Sequence, residues 1–442
     1  MLLKRSSTEL KILALGFPIV VGQLGTILTS FADTFMVGHY STASLASASF
    51  VNNMFNMAIF TVIGFTYGLT PLIGREFLRE ESRPEIGRLL RAGLWLNAAV
   101  SLLVMAIMFA FYLCLDRLGQ PEELLPVIRP YFLLYLVGLL PVSVFNVFAQ
   151  WSYSVNRTVL PSVILIVGNL LNIAGNYALI FGHWGCPEMG LTGAGLSTLA
   201  VRVLNAVAMG SVFFFGSRNR REREGFKSLK VTGKTLSEVG ATSWPVALQM
   251  GLESGCFSVA AVMAGWVGAT GLAAYQIAVV IGQLGFMVYY GFGTAIAVLV
   301  ANKAGLGDRR EMRRVAFAGY RVILCFVLLA SAAFFFFGGR IIDLFTDDPA
   351  VRLASVALVI PLVLYQFGDG TQVCFANALR GTADVRPMLW IAAVAYLLFG
   401  VPAMYLLAFP LGLETVGILS GAGAALLVAA LLFLSRFLRA TR

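Results

Sequence analysis

Twelve apolar runs separated by short polar breaks dominate this chain, and at roughly 22–30 residues each is long enough to cross a bilayer core. They fall at 12–37, 45–74, 91–115, 127–152, 158–181 and 190–215, then at 239–265, 271–301, 315–338, 352–379, 387–409 and 413–435. A soluble fold would need polar side chains to cover its surface. Only 12% of the residues are charged and 59% are hydrophobic, against about 25% charged in ordinary globular domains. Lipid removes that requirement as long as the backbone pairs within helices. The expected fold class is an all-α membrane protein with twelve transmembrane helices. Lys4 and Arg5 before the first run, with Ala46-Ser47-Ala48 after it, mimic a signal peptide. The run is too long for an h-region and similar runs follow, so it reads as the first transmembrane helix.

Charge sets the expected orientation. Of the 32 Lys and Arg residues, 26 lie on the side of the N-terminus and the even-numbered loops. The other loops hold only Arg117, Arg129, Arg340 and Arg352, and Arg202 and Arg321 fall inside helices. The positive-inside rule then puts both termini in the cytoplasm, for a multi-pass protein of the cell inner (plasma) membrane. With the basic residues laid out this way, the net charge of +10 implies no nucleic-acid partner. Cys114, Cys186, Cys256, Cys325 and Cys374 show no CxxC or metal spacing and read as small core residues.

The chain also repeats at an offset of about 227 residues. Pro18 answers Pro245, Gly38 answers Gly265, and Leu45-Ala46 answers Leu272-Ala273. Ala92-Gly93 matches Ala318-Gly319, Pro161 matches Pro387, and Gly193-Ala194-Gly195 matches Gly421-Ala422-Gly423. Six helices per half is an even number, so the halves share orientation and form two pseudo-symmetric six-helix bundles, with a cavity expected between them. The reading divides the chain into an N-terminal lobe at 1–216, a basic cytoplasmic linker at 217–238 and a C-terminal lobe at 239–442.

That architecture points to transport, and enzyme signatures are missing. Gly233-Lys234-Thr235 has Ser228 where a phosphate-binding loop needs its leading glycine. His39 and His183 lie near outer loops without a metal-ligand spacing and read as solvated surface residues. Phe286-Met287 and Tyr289-Tyr290 read mostly as lipid-facing or packing residues, with the lining of a greasy drug site as the alternative that sequence does not separate. No cofactor is expected.

Of 22 acidic residues, all but three fall in aqueous segments; Asp33, Glu253 and Asp369 lie inside spanning segments. A charge at that depth costs about 2.5–3.5 kcal/mol or more, and such residues normally have a function. The bland alternative is a buried acid neutralised by a proton or a neighbouring Arg. Asp33 sits about one turn from the outer end of helix 1. Asn172 and Asn176, spaced i,i+4, share a face of helix 5, and Ser197-Thr198 lies about two turns into helix 6. One carboxylate, two amides and a hydroxyl thus meet at similar height, a ligand set for a proton or a small hard cation such as Na⁺. Asn169 receives no role, because a lone Asn often serves only as interhelical glue. In the second half, Glu253 is near the middle of helix 7, and Asp369 near the middle of helix 10 with Tyr365 one turn before it. Two carboxylates facing one cavity respond to a proton, a metal ion or a cationic drug. Gln249 and Gln283 are candidate additional polar contacts. Pro18 and Pro245 each remove a helical hydrogen bond and so allow bending.

Taken together and in order, these residues resemble the multidrug and toxic compound extrusion (MATE) family, most like its NorM-type bacterial branch. The resemblance spans essentially the whole chain. It rests on the two six-helix halves, on Pro18 through Asp33 and Gly38-His39, and on Gly168-Asn169-Leu170-Leu171-Asn172 with Asn176-Tyr177. Ala273-Ala274-Tyr275-Gln276 and Gly368-Asp369-Gly370-Thr371-Gln372 with Ala378-Leu379-Arg380-Gly381 complete it. The resemblance implies export of cationic amphipathic drugs in exchange for Na⁺ or H⁺ by a functional monomer in the lipid bilayer. It implies an N-lobe cation site at Asp33, Asn172, Asn176 and Thr198, and a C-lobe cation or substrate site at Glu253, Tyr365 and Asp369. Na⁺ is thus a candidate ligand at Asp33 or at Glu253 and Asp369. Some family members carry an acid at the position of Asn176, so the amide here leaves the coupling ion open.

Two rivals share parts of this pattern. A lipid-linked oligosaccharide flippase of the same superfamily would face its anionic headgroup with Lys or Arg, whereas three buried acids here outnumber Arg202 and Arg321. A major-facilitator carrier also has two parallel halves. Gly305-Leu306-Gly307-Asp308-Arg309-Arg310 mimics its loop signature, but between helices 8 and 9 and not between 2 and 3.

Overall fold

In the computed structural model of the protein, residues 7–117 and 121–442 are described, and these are helical almost throughout. Lys4 and Arg5, used above for the signal-peptide and orientation readings, lie outside the described residues. In chain order the helices of the first half are α1 (Thr8–Tyr40), α2 (Thr42–Thr66), α3 (Leu69–Phe77), α4 (Arg83–Leu113), α5 (Leu125–Val137), α6 (Leu139–Ser154), α7 (Val159–Phe181), α8 (Gly190–Phe215) and α9 (Arg220–Ser228). The second half holds α10 (Gly233–Val267), α11 (Ala269–Gly305), α12 (Arg309–Ile342), α13 (Pro349–Ala357), α14 (Val359–Gly381), α15 (Arg386–Ala392), α16 (Val401–Ala408) and α17 (Glu414–Ala440). Eleven spans among the described residues are long and apolar enough to cross a membrane. The bent pair α13 and α14, at 45°, supplies a twelfth. Large apolar side chains such as Phe31, Phe336 and Leu398 remain more than 70% exposed, which suits a hydrocarbon surround and not water.

Short polar signals punctuate the long helices. Ser41, in extended backbone, caps α2 by accepting from Ser44 N at 3.0 Å. Asp308 caps α12 through Glu311 N at 3.0 Å, and Asp348 caps α13 through Ala350 N at 2.8 Å. Each cap satisfies one of the unpaired amides of a first helical turn. Helix α7 stops at Gly182, whose φ of +71° is the left-handed conformation that ends helices cheaply only at glycine. Residues Ala393–Gly400 form a π-helical stretch between α15 and α16. Pro402 follows directly and lacks the N–H for an ordinary i→i−4 bond, so the widened turn redistributes the carbonyls before it.

The chain packs into two compact units. One comprises Val21–Ala247; the other comprises Leu248–Arg442 together with α1 up to Val20. Both crossings between units fall inside long helices, within three residues of Pro18 and Pro245, the only prolines inside α1 and α10. The basic stretch after α8 is partly helical, because α9 lies against α4 and neither Gly87 nor Gly225 has a side chain to hold them apart. A Cβ on Gly87 would strike the Glu222 carbonyl, and one on Gly225 the Pro84 carbonyl.

Internal duplication is visible in the packing. In the first unit a Cβ on Gly193 would press on the Leu179 backbone, so α8 lies directly on α7. In the second, a Cβ on Gly421 would press on the Met404 backbone, so α17 lies directly on α16. Small residues permit this close helix approach in membranes, where packing and not the hydrophobic effect drives association.

Candidate functional site

In the Val21–Ala247 unit, Asp33 is half-buried on α1 and accepts a hydrogen bond from Asn176 Nδ2 on α7. Asn176 also donates to Asn172 Oδ1 at 3.4 Å, and Asn172 donates to Thr198 Oγ1 at 3.3 Å on α8. Ser197 closes the arrangement by donating to the Asn172 carbonyl at 3.1 Å. Helices α7 and α8 come this close because Gly175 has no Cβ; one placed there would collide with Ser197. All four residues expected in the N-lobe set are therefore joined in one hydrogen-bonded chain. Asn169 lies outside it and packs at Gly25, 3.2 Å from where a Cβ would stand.

Asp33 opens onto a small polar pocket lined also by Ser49, Asn52, Tyr131, Tyr135 and Thr198. α2 and α5 thus contribute to the site beyond the residues expected from sequence; Asn52-Asn53 interrupting an apolar run is a signal for α2, and the α5 tyrosines carry none. Arg202, one helical turn after Thr198, stacks over the Tyr135 ring at 4.7 Å. It reaches Gly138, at the break between α5 and α6, because a side chain there would occupy its place.

In the other unit, Glu253 on α10 accepts from Gln249 Nε2 at 2.8 Å and from Gln372 Nε2 on α14 at 3.5 Å. Asp369 is 2% exposed on the same helix as Gln372, and lies close enough to Glu253 for their charges to interact. Tyr365, one turn earlier, packs edge-on to Phe257 at 6.1 Å. Gln249 thus joins this cluster, whereas Gln283 is exposed on α11. Cys256 Sγ lies 3.7 Å from the Tyr396 carbonyl in the π-helical stretch, tying the Glu253 helix to it.

Two charges assigned to aqueous loops are buried instead. Arg380 is 6% exposed in the last turn of α14, where it donates to Asn377 Oδ1 at 3.1 Å, and its charge reaches Glu253. Glu222 is 1% exposed, held by Trp151 and Arg83. Loop membership was inferred from hydropathy, which counts an Arg or Glu as aqueous wherever a helix end is tucked against its neighbours. One arginine and one acid thus join the buried charges, while Arg321 is exposed and pairs with Glu9. Tyr289, read with its neighbours as lipid-facing or packing, is fully buried.

His39 Nδ1 lies 3.0 Å from the Phe35 carbonyl, and the His183 ring packs on Tyr177 at 4.3 Å. Among the described residues no group of three or more His, Cys, Asp or Glu side chains is placed to hold a metal ion.

The MatE family profile matches the chain twice, over residues 18–178 and 245–406, one copy in each half. Both matches begin at the duplicated prolines. A probable multidrug resistance protein NorM of Xanthomonas axonopodis is 30% identical over 393 residues, covering 88% of this chain and 84% of the relative. A multidrug resistance MATE family transporter in an outward-facing conformation superposes with a TM-score of 0.89 at 18% identity, over 99% of this chain and 96% of the other. A Vibrio cholerae MATE transporter does so with a TM-score of 0.85, also at 18% identity, over 98% and 97%. The chain belongs to the MatE family and is a multi-pass membrane transporter, not an enzyme.

Proposed function

We propose that this transporter is a multidrug efflux antiporter of the inner membrane that exports cationic amphipathic compounds in exchange for Na⁺ or H⁺. The observation that carries the reading is the pair of polar clusters, one in each unit, each built around carboxylates inside spanning helices. A carboxylate at that depth is tolerated when it binds a cation or a proton. Asp33 with Asn172, Asn176 and Thr198 forms the first coupling site; Glu253, Tyr365 and Asp369 form the second. Binding of the coupling ion neutralises the carboxylates that would otherwise attract a cationic drug, so that ion and drug compete. The two loads then travel in opposite directions through alternating access, with bending at Pro18 and Pro245. No further cofactor is needed. The orientation follows the basic residues, with both termini cytoplasmic, and the monomer is the working unit. The multidrug names of the relatives support the substrate class, and the interhelical acids support its positive charge.

The test is efflux of a fluorescent lipophilic cation from whole cells and inverted vesicles under separately imposed Na⁺ and pH gradients. Asp33→Asn, Glu253→Gln and Asp369→Asn should each slow it. Parental rates in all three would overturn the assignment. Efflux driven by neither gradient would overturn antiport.

A further inference from the structure

One charge inside the spanning helices takes no part in the function proposed above. Arg202 is half-buried near the middle of α8, a depth at which a charge is costly enough to imply a role. A guanidinium keeps its proton at any working pH, so this charge is permanent. It also breaks the internal duplication. The alignment that pairs Gly193 with Gly421 pairs Arg202 with Ala430, which is 1% exposed on α17.

The guanidinium is held by a ring and by a gap. Its carbon stands 4.7 Å from the Tyr135 ring centroid. Its Nη1 and Cδ fill the space beside Gly138, 2.7 and 3.3 Å from where a Cβ would stand. Asp33 accepts its hydrogen bond from Asn176 and makes no ion pair with Arg202. Tyr135 lines the Asp33 pocket and Arg202 does not, so the ring stands between the two charges. The arginine's charge nevertheless reaches Asp33, and among the described residues no other cation's does. The other polar groups around the pocket, Ser49, Asn52, Tyr131 and Thr198 among them, are uncharged at neutral pH. A direct salt bridge would occupy the carboxylate. A positive charge kept one ring away leaves it open, yet opposes every cation that enters.

That opposition depends on the charge of the entering ion, because Coulomb energy is proportional to it. We propose that Arg202 is a specificity-determining residue that reserves the Asp33 pocket for singly charged cations. Its field weakens Na⁺ binding about tenfold and Ca²⁺ binding about hundredfold, the second factor being the square of the first. The proposal rests on the reading of Asp33 as a coupling-cation group and adds to it a filter against divalent ions.

The test uses purified full-length protein carrying Glu253→Gln and Asp369→Asn, so that Asp33 is the remaining carboxylate of the proposed sites. Tm is followed against Na⁺ and, separately, Ca²⁺, with pH fixed and ionic strength held by a bulky organic cation. An ion that binds only the folded state raises Tm. Adding Arg202→Met should lower the Na⁺ midpoint about tenfold and the Ca²⁺ midpoint about hundredfold. Where the background shows no shift in the accessible range, one should appear. Arg202→Lys keeps the charge and should leave both midpoints at the background values. Adding Asp33→Asn to the Arg202→Met protein should abolish both gains. Unmoved midpoints, or no response to either ion in any protein, overturn the proposal. So do equal factors for the two ions, or gains shared by Arg202→Lys, since a change of shape and not of charge gives those. Gains that survive Asp33→Asn place the effect elsewhere and also overturn it. If Arg202→Met fails to fold, Arg202→Gln, neutral and polar, decides in its place. Efflux with and without Asp33→Asn, in otherwise parental protein, is measured alongside. Efflux slowed by Asp33→Asn with unmoved midpoints sinks the filter and spares the coupling reading. Gains in both midpoints, with efflux indifferent to Asp33→Asn, sink the coupling reading and spare the filter.

Discussion

The Glu222 carboxylate accepts a hydrogen bond from the Trp151 indole at 2.7 Å and pairs with Arg83 at 3.2 Å. Glu222 is on α9 and its partners are on α6 and α4, so this one side chain fastens the linker helix to two helices of its unit. Removing the carboxylate leaves the buried Trp151 N–H without its acceptor, and leaves Arg83 with Glu80 alone, at 3.6 Å. Glu222→Ala should destabilise by about 2–4 kcal/mol, read as a drop in the Tm of purified protein. Trp151→Phe removes only the neutral donor and should cost about half as much.

Close helix packing makes a second prediction about paired glycines. Gly193→Ala and Gly421→Ala each place a methyl group against backbone, at 2.5 Å from the Leu179 carbonyl oxygen and 2.7 Å from Met404. Each should cost about 1–3 kcal/mol through overpacking. Gly210→Ala, in the same helix as Gly193, meets nothing closer than 3.7 Å. It should be neutral or gain up to about 1 kcal/mol of helix propensity. Thermal unfolding of the three variants side by side gives the comparison.

The prolines at the two unit crossings are expected to matter for rate more than for fold. Alanine restores the missing N–H and an i→i−4 bond, so Pro18→Ala and Pro245→Ala should raise Tm while slowing efflux. A helix made stiffer where it passes between units resists bending. Parental efflux rates in both variants, with Tm raised, would show that the bends serve packing alone.

Asn176→Asp exchanges the donor that now serves Asp33 for a second carboxylate. Two adjacent carboxylates repel unless a cation lies between them. The variant should unfold at lower temperature in Na⁺-free buffer and regain stability with added Na⁺. Its efflux should need about tenfold less Na⁺ for half-maximal rate, if each ligand charge contributes about 1.4 kcal/mol. The Na⁺ dependence of Tm and of efflux checks both parts.

The twelve spans and the duplication were legible in the sequence because both are written in one dimension. Span length follows from the rise of 1.5 Å per residue against a fixed bilayer thickness, and a repeat shows itself as recurring residues such as Pro18 and Pro245. The three intramembrane acids were legible for the same reason: Asp33, Glu253 and Asp369 stand out against apolar neighbours. Helical phase even brought Asn172 and Asn176 to one face and paired them with Asp33 and Thr198 by depth.

What only the tertiary structure decided concerns side chains that meet across helices without a polarity contrast to announce them. Tyr131 and Tyr135 look like ordinary packing residues until α5 is seen to face Asp33. Arg380 and Glu222 sit beside polar segments and read as solvated, yet the turn of α14 and the docking of α9 bury them. Hydropathy measures how much apolar surface a segment carries, while burial of a charge depends on which neighbour covers it. The sequence by itself determined the membrane class, the twofold plan and the acids; packing determined which other groups those acids meet.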